Sequence, residues 1–268
     1  MKFLSFNINS IRIRLHQIKE IIKKHNPEII ALQETRVDNN LFPVDDIFKL
    51  GYKAYYYGKK GYCGVAFLSK ICPFYVLNDF PNYKENNECR IITIKISTYI
   101  GNITLINIYA PQGENRNNYI KFNNKSAFFL NLYIFLKRMI NPKELIIIMG
   151  DMNISMTNND IGIGEKNRLL WLKRGKCSFL PEERSWMQKI FDWGFIDAWR
   201  FKNINNYFSF SWFDYRSYGF LKNKGLRIDY ILISKPLIRY YHNTGIDYYI
   251  RNMNRPSDHA PIWIELDI

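Results

Sequence analysis

The groups in this chain that could do chemistry stand where apolar runs end. In LIIIMGDMN, residues 145–153, five apolar residues run straight into Gly150, Asp151 and Asn153. A run this short reads as a buried strand, with the glycine letting the backbone turn as the strand leaves the sheet. A carboxylate and a carboxamide are thereby fixed at a strand end, as a metal or phosphate site requires. The device recurs: KFLSFNIN delivers Asn7, PEIIALQETR delivers Glu34, ITLINIYAPQG carries Tyr109 and Gln112, RIDYILIS embeds Asp229, and SDHAPIWIEL sets Asp258 and His259 before the last strand. A single strand-end Asp is most often a cap or turn former. So many placements of one kind exceed what capping explains.

The oxygen donors Asn7, Glu34, Asp151, Asn153 and Asp258 suit a hard divalent ion, magnesium or, as a substitute, manganese. Zinc is a poor match, because Cys63, Cys72, Cys89 and Cys177 form no CxxC pair and His16, His25, His242 and His259 are scattered. An ion here could polarise a phosphoryl oxygen and stabilise a departing alkoxide, while Tyr109 and His259 donate to the charge that builds in the transition state. Asp229 would orient and charge-balance His259. An isolated Asp–His pair would read more simply as satisfied core residues; the accompanying carboxylates favour catalysis.

The motifs FNINS, LQETR, NIYAPQG, GDMN, GLRIDY and SDHAP stand in the order and approximate spacing of the exonuclease III family of abasic-site endonucleases. The chain resembles that family from Met1 to near Leu266, with KFLSFNINSIRIR, DIGIGEKNR, GKCSFLPEERSW and FSWFDYRS extending the likeness between motifs. The resemblance implies metal-dependent cleavage of the phosphodiester 5′ to an abasic site in duplex DNA, 3′→5′ exonuclease action on duplexes, and removal of 3′-phosphates. It implies Glu34 as the principal metal ligand, with Asn7 and Asp258 nearby, and Asp151 as acid or base beside the attacked phosphorus. Asn153 would orient that centre, Tyr109 and His259 would touch the phosphate, and Asp229 would support His259. Whether Asp151 takes or gives the proton, and how many ions work in the site, stay open.

Arg90, Gln112 and Lys121 match phosphate-contacting positions of the family, and Trp212 matches its abasic-pocket aromatic. In FSWFDYRS, Trp212, Phe213 and Tyr215 stand beside Arg216, so the loop can stack on bases or pack the sugar while the arginine meets phosphate. Tyr215 is expected in the core. Two positions depart from the family pattern. Ser10 stands where glycine is common, which would strain a positive-φ turn mildly, and the Tyr62–Cys63 loop carries unfamiliar residues.

A net charge of +14, from 38 Lys+Arg against 24 Asp+Glu, fits a polyanion partner, since each phosphate contact adds affinity by counterion release. Part of that excess reflects lysine-rich composition. The expected partner is double-stranded DNA carrying abasic sites or blocked 3′ ends, met by a monomer with no role for a membrane. Met1 leads directly into a catalytic strand and no long apolar segment occurs, so the cytoplasm is the expected compartment, consistent with free thiols. Two other readings compete: a metal phosphoesterase of the same fold with another substrate, as superfamily members that hydrolyse DNA nonspecifically, inositol phosphates or sphingomyelin would imply, and a nucleic-acid-binding protein with a decayed site. The complete set Glu34, Asp151, Asp229 and His259 argues against decay, and FSWFDYRS with the basic excess argues against a small lipid or inositol substrate.

The 268 residues, 47% of them hydrophobic, read as one α/β nuclease domain spanning 1–268. Helical spacing marks Ile11–His25, Asn123–Met139 and Pro181–Trp193. Strands are expected near Lys2–Ile8, Ile29–Leu32, Gly64–Leu68, Arg90–Ile96, Ile103–Tyr109, Leu145–Met149, Arg227–Ile233 and Pro261–Leu266. The family implies a four-layered sandwich of two mixed β-sheets flanked by helices, with the active site at one end. An echo between LSFNIN and IMGDMN suggests two similar halves.

Overall fold

The computed structural model describes residues 1–59, 61, 63–81 and 88–268; Tyr62 lies outside them. Its strands are β1 (Lys2–Asn7), β2 (Ile29–Gln33), β3 (Lys53–Tyr57), β4 (Val65–Ser69), β5 (Tyr75–Asn78) and β6 (Ile91–Thr98). They continue with β7 (Gly101–Tyr109), β8 (Leu145–Asp151), β9 (Phe195–Asp197), β10 (Asp229–Ser234), β11 (Tyr241–Ile246) and β12 (Ile262–Leu266). The helices are α1 (Ile11–His25), α2 (Val44–Lys49), α3 (Tyr119–Met139), α4 (Glu165–Lys173), α5 (Pro181–Gly194), α6 (Ala198–Lys202) and α7 (Tyr248–Arg251).

Two six-stranded sheets form, in the orders β11-β12-β1-β2-β4-β3 and β5-β6-β7-β8-β10-β9. Period-two alternation explains why they stack and why helices cover their outer faces. Phe3, Ile29, Ala31, Ile147 and Met149 point into the core between the sheets. Their neighbours point the other way: Leu4, Ile30 and Leu32 meet Ile18 and Ile21 of α1, while Ile146 and Ile148 meet Leu132 of α3 and Met187 of α5. Central strands buried on both faces are apolar along their middles, which is why β2, β8 and β10 read as apolar runs that end in polar residues. Burying each such side chain contributes about 1.5–3 kcal/mol, which offsets the cost of fixing polar groups at the strand tips. The four-layered α/β sandwich is the architecture observed.

Within each sheet one pair is parallel, β1 with β2 and β7 with β8, and the others are antiparallel. Order and sense coincide when β1, β2, β4 and β3 are set against β7, β8, β10 and β9, and β12 and β11 against β6 and β5. The two halves therefore equate β1 with β7, so that Asn7 corresponds to Tyr109. The echo of LSFNIN in IMGDMN pairs β1 with β8 instead and is not the structural repeat.

Gly150 also differs from expectation. Strand β8 does not leave the sheet there, because Asp151 still pairs with Tyr109 and Asp229. Gly150 has φ 145°, and a Cβ on it would lie 1.9 Å from the Ile108 carbonyl oxygen. Glycine is required by that close approach. Ser10 does take the positive φ its position implied, at 88°, and its N–H donates to the Glu34 carbonyl at 2.7 Å.

Candidate active site

The parallel strands β1, β2, β7 and β8 end at the same edge of the sandwich where antiparallel β10 begins and the turn before β12 lies. Asn7, Glu34, Tyr109, Asp151, Asp229 and His259 thus meet although they are far apart in sequence. Asn7 Nδ2 donates to Glu34 Oε1 and to Asp151 Oδ2, at 3.0 Å each. His259 Nδ1 lies 2.8 Å from Asp229 Oδ2, and its Nε2 lies 3.8 Å from Asp151 Oδ2. The Asn153 N–H donates to Asp151 Oδ1 at 2.8 Å, and its side chain donates to the Ala110 carbonyl at 2.9 Å.

Glu34 and Asn153 both adopt left-handed backbone, at φ 50° and 52°. Asparagine tolerates this region; glutamate does so at a cost, and such strain gathers at functional sites. Backbone bonds from Ser10 N–H to the Glu34 carbonyl and from Thr35 N–H to the Gly64 carbonyl hold the segment.

Electrostatics follow from burial. Burial pushes Asp151 up to about 7, Asp229 and Glu34 push the same way, and His259 and the Asn153 N–H oppose them. For His259 burial favours the neutral ring, but the carboxylates of Asp229, Asp151 and Asp258 outweigh it and raise the imidazole to about 10. Burial, then Glu34 and Asp151, keep the Tyr109 phenol protonated well above its ordinary value. The site therefore presents two hydrogen-bond donors, His259 and Tyr109, beside a carboxylate poised to change its charge.

Glu34, Asp151 and His259 each offer a ligand atom, all within 4.8 Å of one another. His259 is committed to Asp229 and held protonated, which leaves oxygen donors. The positive edge of the Asn7 amide lies between Glu34 and Asp151, where their fields converge and a hard cation would be drawn. The residues fit a divalent metal in that respect. Asp258 is engaged differently: its Oδ1 accepts from Asn9 Nδ2 at 2.9 Å and its Oδ2 from Trp212 Nε1 at 3.0 Å.

A cleft leaving about 330 Å³ for water-sized occupants opens over these groups, and Trp212, Arg216 and Gln112 stand on its wall. Arg90 lies behind it, packed 4.9 Å from the Tyr109 ring centroid and paired with Glu88. Lys121 is exposed in the first turn of α3 and paired with Glu114, and it does not line the cleft. The aromatic loop divides differently from the sequence expectation. Phe213 is buried in a cluster with Phe220 and Tyr248, so it cannot stack on a base. Tyr215 is 43% exposed rather than core, with its hydroxyl donating to the Pro256 carbonyl.

Several participants were not singled out from sequence. Arg36 pairs with Glu34, a link its place in LQETR could have suggested. Ser257 Oγ donates to the Asn7 carbonyl at 2.7 Å, and Ser211 Oγ accepts from the N–H groups of Ile228 and Asp229 at 3.1 Å each. Trp171 and Lys176 also line the cleft, with the ammonium 3.4 Å from the indole centroid. Ser257, Ser211 and Lys176 lie inside SDHAP, FSWFDYRS and GKCSFLPEERSW, whose resemblance could have flagged them; nothing local marks Trp171.

A two-sheet sandwich whose strand tips gather an Asp–His pair, a neighbouring carboxylate and a cation-attracting glutamate defines a phosphoester hydrolase. Residues 4–259 match the Endonuclease/Exonuclease/phosphatase family, and the chain belongs to it. It is 48% identical over 265 residues to "Exodeoxyribonuclease III" of Haemophilus influenzae, an alignment covering 99% of each chain. Among solved structures it is similar to the "3'-5' exonuclease (NExo)" of Neisseria meningitidis, with TM-score 0.92, 30% identity and 100% of each chain covered. An "AP Endonuclease" from Archaeoglobus fulgidus superposes with TM-score 0.91 at 31% identity, again over 100% of each chain.

Proposed function

We propose that this protein is a DNA-repair nuclease acting as one catalytic domain and as a monomer in the cytoplasm. It cuts the phosphodiester 5′ to abasic sites in duplex DNA, degrades duplexes 3′→5′ and removes 3′-phosphates, all by hydrolysis assisted by magnesium. The observation that carries this reading is the chain Asp229–His259–Asp151–Asn7–Glu34, buried at the floor of a cleft with Trp212 and Arg216 on its wall. The exonuclease III relative at 48% identity supports the same substrate class.

Glu34 and Asp151 would hold the ion, with Asn7 between them. When bound, it supplies Lewis-acid charge to the phosphoryl and leaving oxygens. His259, kept cationic by Asp229, and Tyr109, kept protonated by burial, donate to the non-bridging oxygens as negative charge accumulates. Asp151, aimed by the Asn153 N–H, exchanges a proton at its Oδ2, with the attacking water or the departing 3′ oxygen. Arg216 and Gln112 meet the backbone from the cleft wall, and the excess of 14 positive charges draws the duplex in. Incubation with a duplex carrying one abasic analogue tests this: incision 5′ to the lesion is expected with magnesium and its loss with EDTA. Intact duplex in magnesium would overturn the proposal.

Lesion reading separates from phosphate attraction at Trp212. Trp212→Ala is expected to slow cleavage at an abasic site by the equivalent of about 1–3 kcal/mol, with little change in affinity for intact duplex. Trp212→Phe keeps a ring but loses the bond to Asp258, so it reports that contact alone. Arg216→Ala, on the cleft wall, is expected to weaken damaged and intact duplexes alike and to flatten the salt dependence by about one unit. Binding and cleavage across a salt series on matched duplexes check this; equal losses on both duplexes for Trp212→Ala would exclude a lesion pocket there.

A further inference from the structure

We infer that a single internal water occupies a small cavity behind Asp229 and ties that carboxylate to Arg227 and Trp199. Arg227, two residues before Asp229 in GLRIDY, is buried. Its Nε donates to Asp160 Oδ1 and its Nη2 to Asp197 Oδ2, both at 2.7 Å. Its Nη1 finds no partner among the described residues, and neither do Trp199 Nε1 and Asp229 Oδ1, all three being buried atoms. The three side chains line one cavity, between β10 of one sheet and β11 and β12 of the other, together with Thr244 and isoleucines.

Left unpaired, each of these atoms would carry the full cost of its lost hydration. The cavity leaves about 10 Å³ for the centre of a water-sized occupant, and roughly 10–15 Å³ holds one water. The valence also matches. Water accepts two hydrogen bonds and donates two. Arg227 Nη1 and Trp199 Nε1 are the donors, and Asp229 Oδ1 is one acceptor. Thr244 Oγ1, which donates to the Trp263 carbonyl at 2.6 Å, keeps lone pairs to serve as the second. A metal ion is excluded by the N–H donors, and an anion by the carboxylate.

The consequence reaches the reaction. With Oδ1 anchored through the water, the Asp229 carboxylate cannot rotate, and Oδ2 stays on His259 Nδ1. Arg227 and Trp199 become positioning residues for His259, and this part rests on the proposed nuclease activity.

A crystal structure at a resolution that shows ordered water is expected to place one water within hydrogen-bond reach of Arg227 Nη1, Trp199 Nε1 and Asp229 Oδ1. A dry cavity, or a water that misses Asp229, overturns the inference whatever the enzyme's substrate. Trp199→Phe removes one donor and keeps a smaller aromatic ring. It is expected to lower kcat on an abasic duplex roughly 3–10-fold, the scale of one hydrogen bond, with KM and melting temperature nearly unchanged. Thr244→Val removes the opposite partner and is expected to lower kcat to a similar degree, with a lower melting temperature because its bond to the Trp263 carbonyl is lost as well, so a folding failure in one variant leaves the other decisive. Unchanged kcat in a folded variant overturns the positioning role. Wild-type protein run in parallel keeps the two readings apart: no incision by wild type would sink the nuclease assignment, and the crystallographic result would still decide the water.

Discussion

Asp151→Asn lowers single-turnover cleavage of an abasic duplex by roughly 10²-fold or more, the scale of lost general acid–base catalysis, and leaves duplex affinity largely intact. The amide keeps the volume of the carboxylate and can still accept from the Asn153 N–H, so the strand tip is undisturbed. What disappears is the group that can change charge. At Oδ2 the new amide nitrogen faces Asn7 Nδ2, which keeps its bond to Glu34, so one contact is lost there. Stability moves the other way. The folded Asp151 carboxyl, pushed up to about 7, binds its proton more tightly than in the unfolded chain. Its own contribution therefore makes the metal-free protein less stable as pH rises from the ordinary carboxylate range through 7. Asparagine escapes that loss, so the variant without metal is expected to melt at a higher temperature than wild type at pH 8. A near-normal single-turnover rate would remove Asp151 from proton transfer.

Glu34→Ala raises the magnesium concentration needed for half-maximal cleavage by more than the roughly 10–100-fold that losing a mere outer partner of a metal costs. One of the two carboxylates flanking the Asn7 amide is gone, and with it much of the field that attracts a dication. The freed Arg36 side chain is 42% exposed, so it turns to water and stability changes little. Magnesium titrations of rate, with melting curves as the control, check this. An unchanged metal requirement would remove Glu34 from the site.

The elements legible in the chain were those under uniform physical pressure. Strands β2 and β10 are buried along their whole length and β8 from its second residue on, so an unbroken apolar run could mean little else. Edge strands β3, β5 and β11 are largely half-exposed or exposed, carry mixed residues, and were not anticipated; their pairing comes from neighbours rather than from their own pattern. The short helices α2, α6 and α7 gave no periodic signal for the same reason, being too short to show a face.

The amino-acid order by itself determined which polar side chains sit at the ends of buried strands, that they are mostly oxygen donors suited to a hard cation, and that the surface is basic. Those are local properties, written within a few residues of each other. Tertiary structure alone decided which tips meet. The bond from Asn7 to Asp151 spans 144 positions, and it exists because the sheets stack with the ends of β1 and β8 aligned, a matter of long-range packing and backbone register. The same holds for FSWFDYRS. The two bridges that pair Trp212 with Leu226 and with His259 set the loop's orientation, placing the Trp212 indole in the cleft and the neighbouring Phe213 ring in the core. Side-chain type does not distinguish two adjacent aromatics; only the surface each one faces after packing does.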